Sequence, residues 1–291
     1  MCRFVYYQGL PIRMGELLTE PRHSLIHQSF HSHERQEPLN GDGFGVSWYG
    51  EEQATPALFR SISPAWSSDN LLEISRVIRS PRILAHVRAA TQGSGVAEAN
   101  CHPFRMGELS FMHNGDLGGF PLYRRALLKG LSDDAFHAVR GTTDSEHFLA
   151  VIWDEQRERV RTSGTTPDGG RTLAEALEAA LARVLTLWAE CETQDHIYLN
   201  CLLTDGRDAV ACRFTTDEPE NADTLYLHRG KRYVCEEGLA RMIPCPEGHT
   251  SVLLSSEPLT PDEEWKEVTV GDLVIISADQ EVRTQRLLPS R

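Results

Sequence analysis

The chain has 291 residues, 40% of them hydrophobic, which supports a sizeable core and excludes disorder of the chain as a whole. Its formal net charge of −13 at pH 7 opposes phosphate backbones, and without a local run of Lys or Arg no nucleic-acid partner is expected. The opening MCRFVYYQGLPIRMGELL lacks the apolar core of a signal peptide and no later stretch is apolar for long enough to span a bilayer, so a soluble, cytoplasmic protein with no membrane partner is expected.

In chain order, short apolar or alternating runs predict strands at Arg3–Tyr7, Phe44–Tyr49, Ile83–Arg88 and Leu109–His113. Between them, Leu71, Leu72, Ile74, Val77 and Ile78 sit at helical spacing and predict a helix over Asn70–Arg79. A second helix is predicted from Asp144 to about Arg159, with Asp144 at its entry. A third follows from the capping-box spacing of Thr172 and Glu175, ahead of an Ala/Leu run reaching about Glu190. Strands resume at His196–Thr204, Ala209–Phe214, Thr224–His228, Ser251–Ser255 and Val268–Ala278. Thr162–Gly170 and the acidic Thr215–Asp223 read as loops, neither of them a domain linker. Strands, then helices, then strands fit two sheets packed face to face with helices outside, an α+β architecture, better than a doubly wound parallel fold.

Seven cysteines, an odd number in no paired framework, read as reduced thiols. Cys2 is the chemically unusual one. Removal of Met1 would leave a thiol and a free α-amine on one residue, and an amine with a pKa of about 7.7–8.0 can take the thiol proton near neutrality. Downstream, ILAHVRAATQG (Ile83–Gly93) is an apolar strand ending in Arg88, which suits either a surface ion pair or a bidentate pair with a substrate carboxylate. LSFMHNG (Leu109–Gly115) ends in Asn114-Gly115, read either as a hairpin turn or as the amide and N–H of an oxyanion hole. GTTDSE (Gly141–Glu146) places Asp144 at a loop-to-helix junction, as a helix cap or as a carboxylate for a substrate ammonium.

The order Cys2, HVRAAT (His86–Thr91), Asn114-Gly115 and Asp144 in T-D-S-E resembles the class II glutamine amidotransferases. HSLIHQSF (His23–Phe30), NGDGFGVSWY (Asn40–Tyr49), SPAWSSDNL (Ser63–Leu71) and NCHPF (Asn100–Phe104) narrow this to the stand-alone branch. They look like the amidotransferase component of the yeast glutathione-degradation complex, and the opening Met-Cys-Arg resembles the amidohydrolase of ergothioneine biosynthesis.

The resemblance implies a four-layer αββα sandwich of two antiparallel sheets, the N-terminal nucleophile hydrolase fold, with residues 1–291 as a single domain. It implies a γ-glutamyl small-molecule substrate, with Cys2 as nucleophile and Asn114 and Gly115 as oxyanion hole. Arg88 then holds the α-carboxylate, Asp144 the α-ammonium, and Thr91 and Gln92 line the pocket, Gln92 departing from the Thr-His of glucosamine-synthesising relatives. The leaving group stays open: ammonia from glutamine, cysteinylglycine from glutathione, or another amine. So does a partner, whether a peptidase-like protein or a synthase that would take ammonia; a catalytically inactive binding module is a further alternative. No cofactor is expected, and the densest histidine group (His23, His27, His31, His33) lacks recognised zinc spacing. His86, His102 and His113, beside the signature segments, are candidate supports. The glycine-rich Asn40–Gly45 is either a loop closing on substrate or a tight turn.

Overall fold

The computed structural model of the chain describes residues 2–31, 39–50, 53–89, 95–163, 168–246 and 248–287. The first stretch holds β1 (Arg3–Arg13), α1 (Met14–Leu18), α2 (Leu25–Gln28), β2 (Phe44–Trp48), β3 (Ala57–Ser61), α3 (Asp69–Val77) and β4 (Arg79–Val87). The middle holds β5 (Phe104–Met106), β6 (Leu109–Leu117), α4 (Phe120–Lys129), α5 (Asp133–Ala138), α6 (Asp144–Ser163) and α7 (Arg171–Glu190). Then come β7 (Ile197–Thr204), β8 (Ala209–Thr215), β9 (Tyr226–Glu236), β10 (Leu239–Ile243), β11 (Ser251–Ser255), β12 (Lys266–Glu267), β13 (Asp272–Ile276) and β14 (Val282–Arg286).

Two compact units result, each discontinuous in sequence: Met1–Arg105 with Thr224–Val268, and Met106–Asp223 with Thr269–Arg291. In the first, an eight-stranded sheet runs β10-β9-β11-β1-β4-β2-β3, with β12 on β9. Its central strand β1 pairs antiparallel with both β4 and β11. Phe4, Val5, Tyr6 and Tyr7 are all buried, which is why β1 opens as a continuous apolar run rather than an alternation. Val5 and Tyr7 join Ile83, Ala85 and Val87 of β4 and Val46 of β2 in a core with Leu17 and Leu18 of α1 and Leu71 of α3. Ser68 caps α3 by accepting the Leu71 N–H, 3.2 Å away.

The second unit carries a six-stranded sheet, β14-β13-β8-β7-β6-β5. Helices α6 and α7 pack together, and Phe148 of α6 meets Phe111 of β6 edge to face at 6.0 Å. Leu173, Leu177, Ala180, Leu181 and Val184 line the buried side of α7 at three- and four-residue spacing. The architecture is α+β, with two antiparallel sheets and their helices.

Three sequence expectations change. The Thr172–Glu175 capping box does not form: Gly170 is the N-cap, Asp168 takes the Thr172 N–H at 2.7 Å, and Glu175 pairs instead with Arg171 at 2.7 Å. Asn114-Gly115 is not a hairpin turn, because β6 runs on to Leu117 in register with β7. At the entry of α6 the hydroxyl of Thr143, not the Asp144 carboxylate, accepts the Glu146 N–H at 3.3 Å. Among the described residues, no helix is long and apolar enough to cross a membrane.

Candidate active site

Arg3 stands opposite Val87 in the β1–β4 ladder, so Cys2, one residue earlier, comes beside the residues just past β4. Its Sγ lies 3.4 Å from both backbone groups of Ala89, accepting from the N–H and donating to the C=O. Burial pushes the Cys2 thiol pKa up, against the opposing pull of the Ala89 N–H and of the Arg88 and Arg3 charges. The sulfur is thus held as a thiol that needs a base before it can attack.

Arg88 is buried, at 4% exposure. Its N–H donates to Gly43 O at 2.8 Å and its C=O accepts from Asp42 N at 3.1 Å, so the glycine-rich loop extends the β2–β4 ladder past the strand ends. At Gly43 φ is +115°, and a Cβ there would lie 2.7 Å from Cys101 Sγ; only glycine makes this approach. His86 and His102 stack at 4.3 Å within the same unit.

The other end of that loop is fixed by Arg3, whose Nη1 donates to Asn40 Oδ1. Arg3 Nε also pairs with Glu257 Oε1 at 3.0 Å, both side chains buried, and His23 Nε2 lies 3.5 Å from Oε2 of the same carboxylate. The sequence reading missed Glu257 and the role of Arg3. One signal was present: a charged residue inside the apolar run RFVYY must find a partner if the strand is buried.

In the second unit, Asn114 is buried and its Oδ1 has no hydrogen-bond partner among the described residues. Gly115 has φ +145°, and a Cβ there would lie 1.9 Å from Tyr198 O on β7. Asp144, the first residue of α6, accepts the Leu117 N–H through Oδ2 at 2.7 Å and the Ser145 N–H through Oδ1 at 2.8 Å. The two sequence signals, Asn114-Gly115 and Asp144, therefore converge at the end of β6.

His113 braces this junction. Nε2 lies 3.0 Å from Tyr198 O and Nδ1 2.9 Å from Ser145 Oγ. The carbonyl can only accept, so Nε2 carries the proton and Nδ1 accepts from the serine hydroxyl. Burial holds the His113 pKa below the usual value, against the opposing pull of the Asp144 charge and the bond to Tyr198, which favours this neutral form.

The structure therefore brings Cys2 together with Arg88, and Asn114 and Gly115 together with Asp144. Thr91 and Gln92, and His33 of the histidine group, lie outside the described residues. His27 meets His23 and His31 ring against ring, with centroids 6.3 and 5.4 Å apart. Elsewhere, His228, Asp262 and Glu264 could bring ligand atoms together, but Lys231 Nζ already sits 2.9 Å from Asp262 and 3.2 Å from Glu264.

The family model described as "Glutamine amidotransferases class-II" matches residues 16–233. The chain belongs to the class II glutamine amidotransferases, a family of enzymes. Among its relatives, the probable glutamine amidotransferase DUG3 of Saccharomyces cerevisiae is 34% identical, over 95% of this chain and 82% of that one. The gamma-glutamyl-hercynylcysteine sulfoxide hydrolase of Mycolicibacterium smegmatis is 27% identical, over 94% of this chain and 95% of that one. A glutamine aminotransferase class-II domain protein from Silicibacter pomeroyi superposes with a TM-score of 0.66 at 26% identity, covering 99% of this chain and all of that one. Glutamine phosphoribosylpyrophosphate amidotransferase from B. subtilis shares the fold, with a TM-score of 0.57 at 14% identity over 99% of this chain and 49% of that one.

Proposed function

We propose that the chain, as one domain spanning residues 1–291, hydrolyses the side-chain amide of glutamine or of a γ-glutamyl conjugate such as glutathione and releases glutamate. The observation that carries this reading is the seat of Cys2: a thiol on the expected new terminal residue, held on the backbone of Ala89 next to buried Arg88. Family membership and the hydrolase relative support the substrate class.

With Met1 removed, the Cys2 α-amine takes the thiol proton and the sulfur attacks the side-chain carbonyl. The carbonyl π pair moves to oxygen, and the Asn114 amide and Gly115 N–H stabilise that oxyanion. Collapse breaks the C–N bond, and the leaving amine takes the proton from the Cys2 ammonium. Water, deprotonated by the same amine, then attacks the thioester; the C–S bond breaks and glutamate leaves. Arg88 pairs with the α-carboxylate and Asp144 with the α-ammonium, which selects a free amino-acid end over an internal glutamine. Thr91 and Gln92 complete the binding set in this reading.

The test is glutamate release by protein whose N-terminal mass shows Met1 removed, offered glutamine, glutathione and a γ-glutamyl anilide, with Cys2→Ala as control. Turnover that disappears in Cys2→Ala is expected. Absence of turnover from processed protein, alone and with cell extract supplying a partner, overturns the reading. Turnover of glutamine that requires a second protein marks instead a subunit supplying ammonia to a synthase.

A further inference from the structure

Helix α4 has a second face that the core does not use. Phe120, Tyr123 and Leu127 are its buried side. On the neighbouring face, at three- and four-residue spacing, Pro121, Arg124, Arg125, Leu128 and Lys129 line a cavity of about 420 Å³ together with Phe136 of α5. Apolar surface runs on past the cavity: Phe136 is 50% exposed, and Leu122, three and seven residues before Arg125 and Lys129, is 63% exposed. A small ligand filling the cavity would leave Leu122 uncovered, so the patch as a whole is shaped for a longer occupant.

The charge of this groove is a second, independent feature. The chain carries 42 acidic against 29 basic residues, and on α6 and α7 Arg157, Arg159, Arg161 and Arg171 each pair with a carboxylate within 2.8 Å. Arg124, Arg125 and Lys129 pair with no carboxylate among the described residues. Arg124 Nε donates instead to His147 Nε2 at 3.2 Å. These cations are not needed to close α4 either, because Arg183 of α7 already donates to Leu127 O at 3.0 Å. On α5, Asp134 is held by Arg157 at 2.8 Å, and Asp133 pairs with none of the three. Unanswered cations beside exposed apolar side chains are complementary to a segment that interleaves carboxylates with apolar residues.

We infer that the α4–α5 groove docks an acidic segment of a partner protein, whose apolar side chain enters the cavity beside Leu128 and Phe136 while its carboxylates pair with Arg125 and Lys129. An apolar anchor seated in a pocket and ringed by complementary charge is the arrangement that carries affinity and specificity in such interfaces. The aliphatic stems of Arg125 and Lys129 add to the apolar wall. An anionic membrane suits the groove less well, because a concave site cannot lie flat on a bilayer and the net charge of −13 opposes approach to anionic lipid. The inference stands apart from the γ-glutamyl reading, since no residue of the groove takes part in that scheme.

The test is fluorescence anisotropy on the full chain with a labelled helical peptide that presents Leu and Phe on one face, flanked by Glu. Two control peptides carry Lys in place of Glu, or Ser in place of Leu and Phe. The acidic apolar peptide is expected to bind, less tightly as salt is raised, and both controls to bind at least about tenfold more weakly. Arg125→Glu with Lys129→Glu, and separately Phe136→Ala, should each weaken it by about tenfold or more at an unchanged melting temperature. No binding, equal binding of the Lys peptide, or binding that survives both variants overturns the inference. Two further results overturn it by assigning the groove elsewhere: co-sedimentation of the parent, but not of the charge-reversed variant, with phosphatidylserine vesicles, or a parent dimer that the same variant dissociates. Anilide turnover is read separately, so a chain that binds the peptide but releases no product would sink the reaction and leave the docking site standing.

Discussion

Asp144 Oδ2 accepts the backbone N–H of Leu117 at 2.7 Å while Oδ1 accepts that of Ser145 at 2.8 Å, so the carboxylate ties the end of β6 to the start of α6. In the reading proposed above the same carboxylate also pairs with the substrate ammonium. Asp144→Asn keeps the shape but removes the charge. KM for a γ-glutamyl anilide is expected to rise about 10–100-fold, the range for a charge-assisted bond, while a des-amino substrate changes little. Equal losses on both substrates would show that Asp144 only holds the strand.

Arg88→Lys tests the other end of the substrate. The guanidinium can grip a carboxylate with two parallel bonds, whereas an ammonium is a point charge on a flexible stem. Steady-state kinetics should show kcat/KM lower by roughly tenfold or more, with an unchanged melting temperature.

Gly115→Ala addresses the backbone. A φ of +145° is a region that L residues avoid, and the added methyl would meet Tyr198 O at 1.9 Å. A loss of roughly 2–3 kcal/mol is expected from the strained backbone, measured by urea denaturation. A stability equal to the parent would mean that β6 and β7 can move apart there.

These positions show what was readable in advance. Cys2, Arg88, Asn114-Gly115 and Asp144 each had an innocent alternative, and only their order along the chain lifted them out. The Asn-Gly pair was ambiguous because its turn preference is local, while pairing of β6 with β7 is decided by partners some 80 residues away. Asp144 was readable as a cap for the same reason, since Thr143 one residue earlier competes for that role. Helix α4 went unread, although Phe120, Tyr123 and Leu127 carry the right spacing, because exposed Leu122 blurs the apolar stripe. The Arg3–Glu257 pair joins residues 254 apart, a separation that no local pattern encodes.

Acid sensitivity follows from two histidines. Burial depresses the pKa of His113 and His147 in the folded chain, as the largest cause at each. A depressed folded pKa means that the unfolded chain binds the proton more readily. The stability contributed is therefore present above the unfolded value of about 6.5 and lost as pH falls below it. Asp116 has the opposite sign: its raised pKa favours the protonated fold, so its contribution is present below the unfolded carboxyl range and is lost as pH rises through about 7. Between the parent and His113→Gln the Asp116 contribution cancels, so their melting temperatures are compared at pH 7.5 and 5.5. His113→Gln should melt lower at pH 7.5 but lose less on acidification; an equal loss in both would clear His113 of the effect.

The buried pair at the start of β1 gives the largest expected effect on stability. Arg3 and Glu257 are 3% and 2% exposed and 3.0 Å apart, and Arg3 also holds Asn40 at the head of the glycine loop. Arg3→Met takes the guanidinium away from the buried Glu257 carboxylate, which lies 3.5 Å from the partly exposed His23. Removing one member of a buried pair typically costs about 3–5 kcal/mol, because the remaining charge stays desolvated. Replacing both, as Arg3→Met with Glu257→Leu, removes that penalty and should recover much of the loss. Urea denaturation of the parent, the two single variants and the double variant closes the cycle. Strict additivity would mean that the two charges do not interact in the folded chain. If the pair also positions the loop, the double variant should regain stability but not activity, because the Arg3 hydrogen bond to Asn40 is missing there as in Arg3→Met.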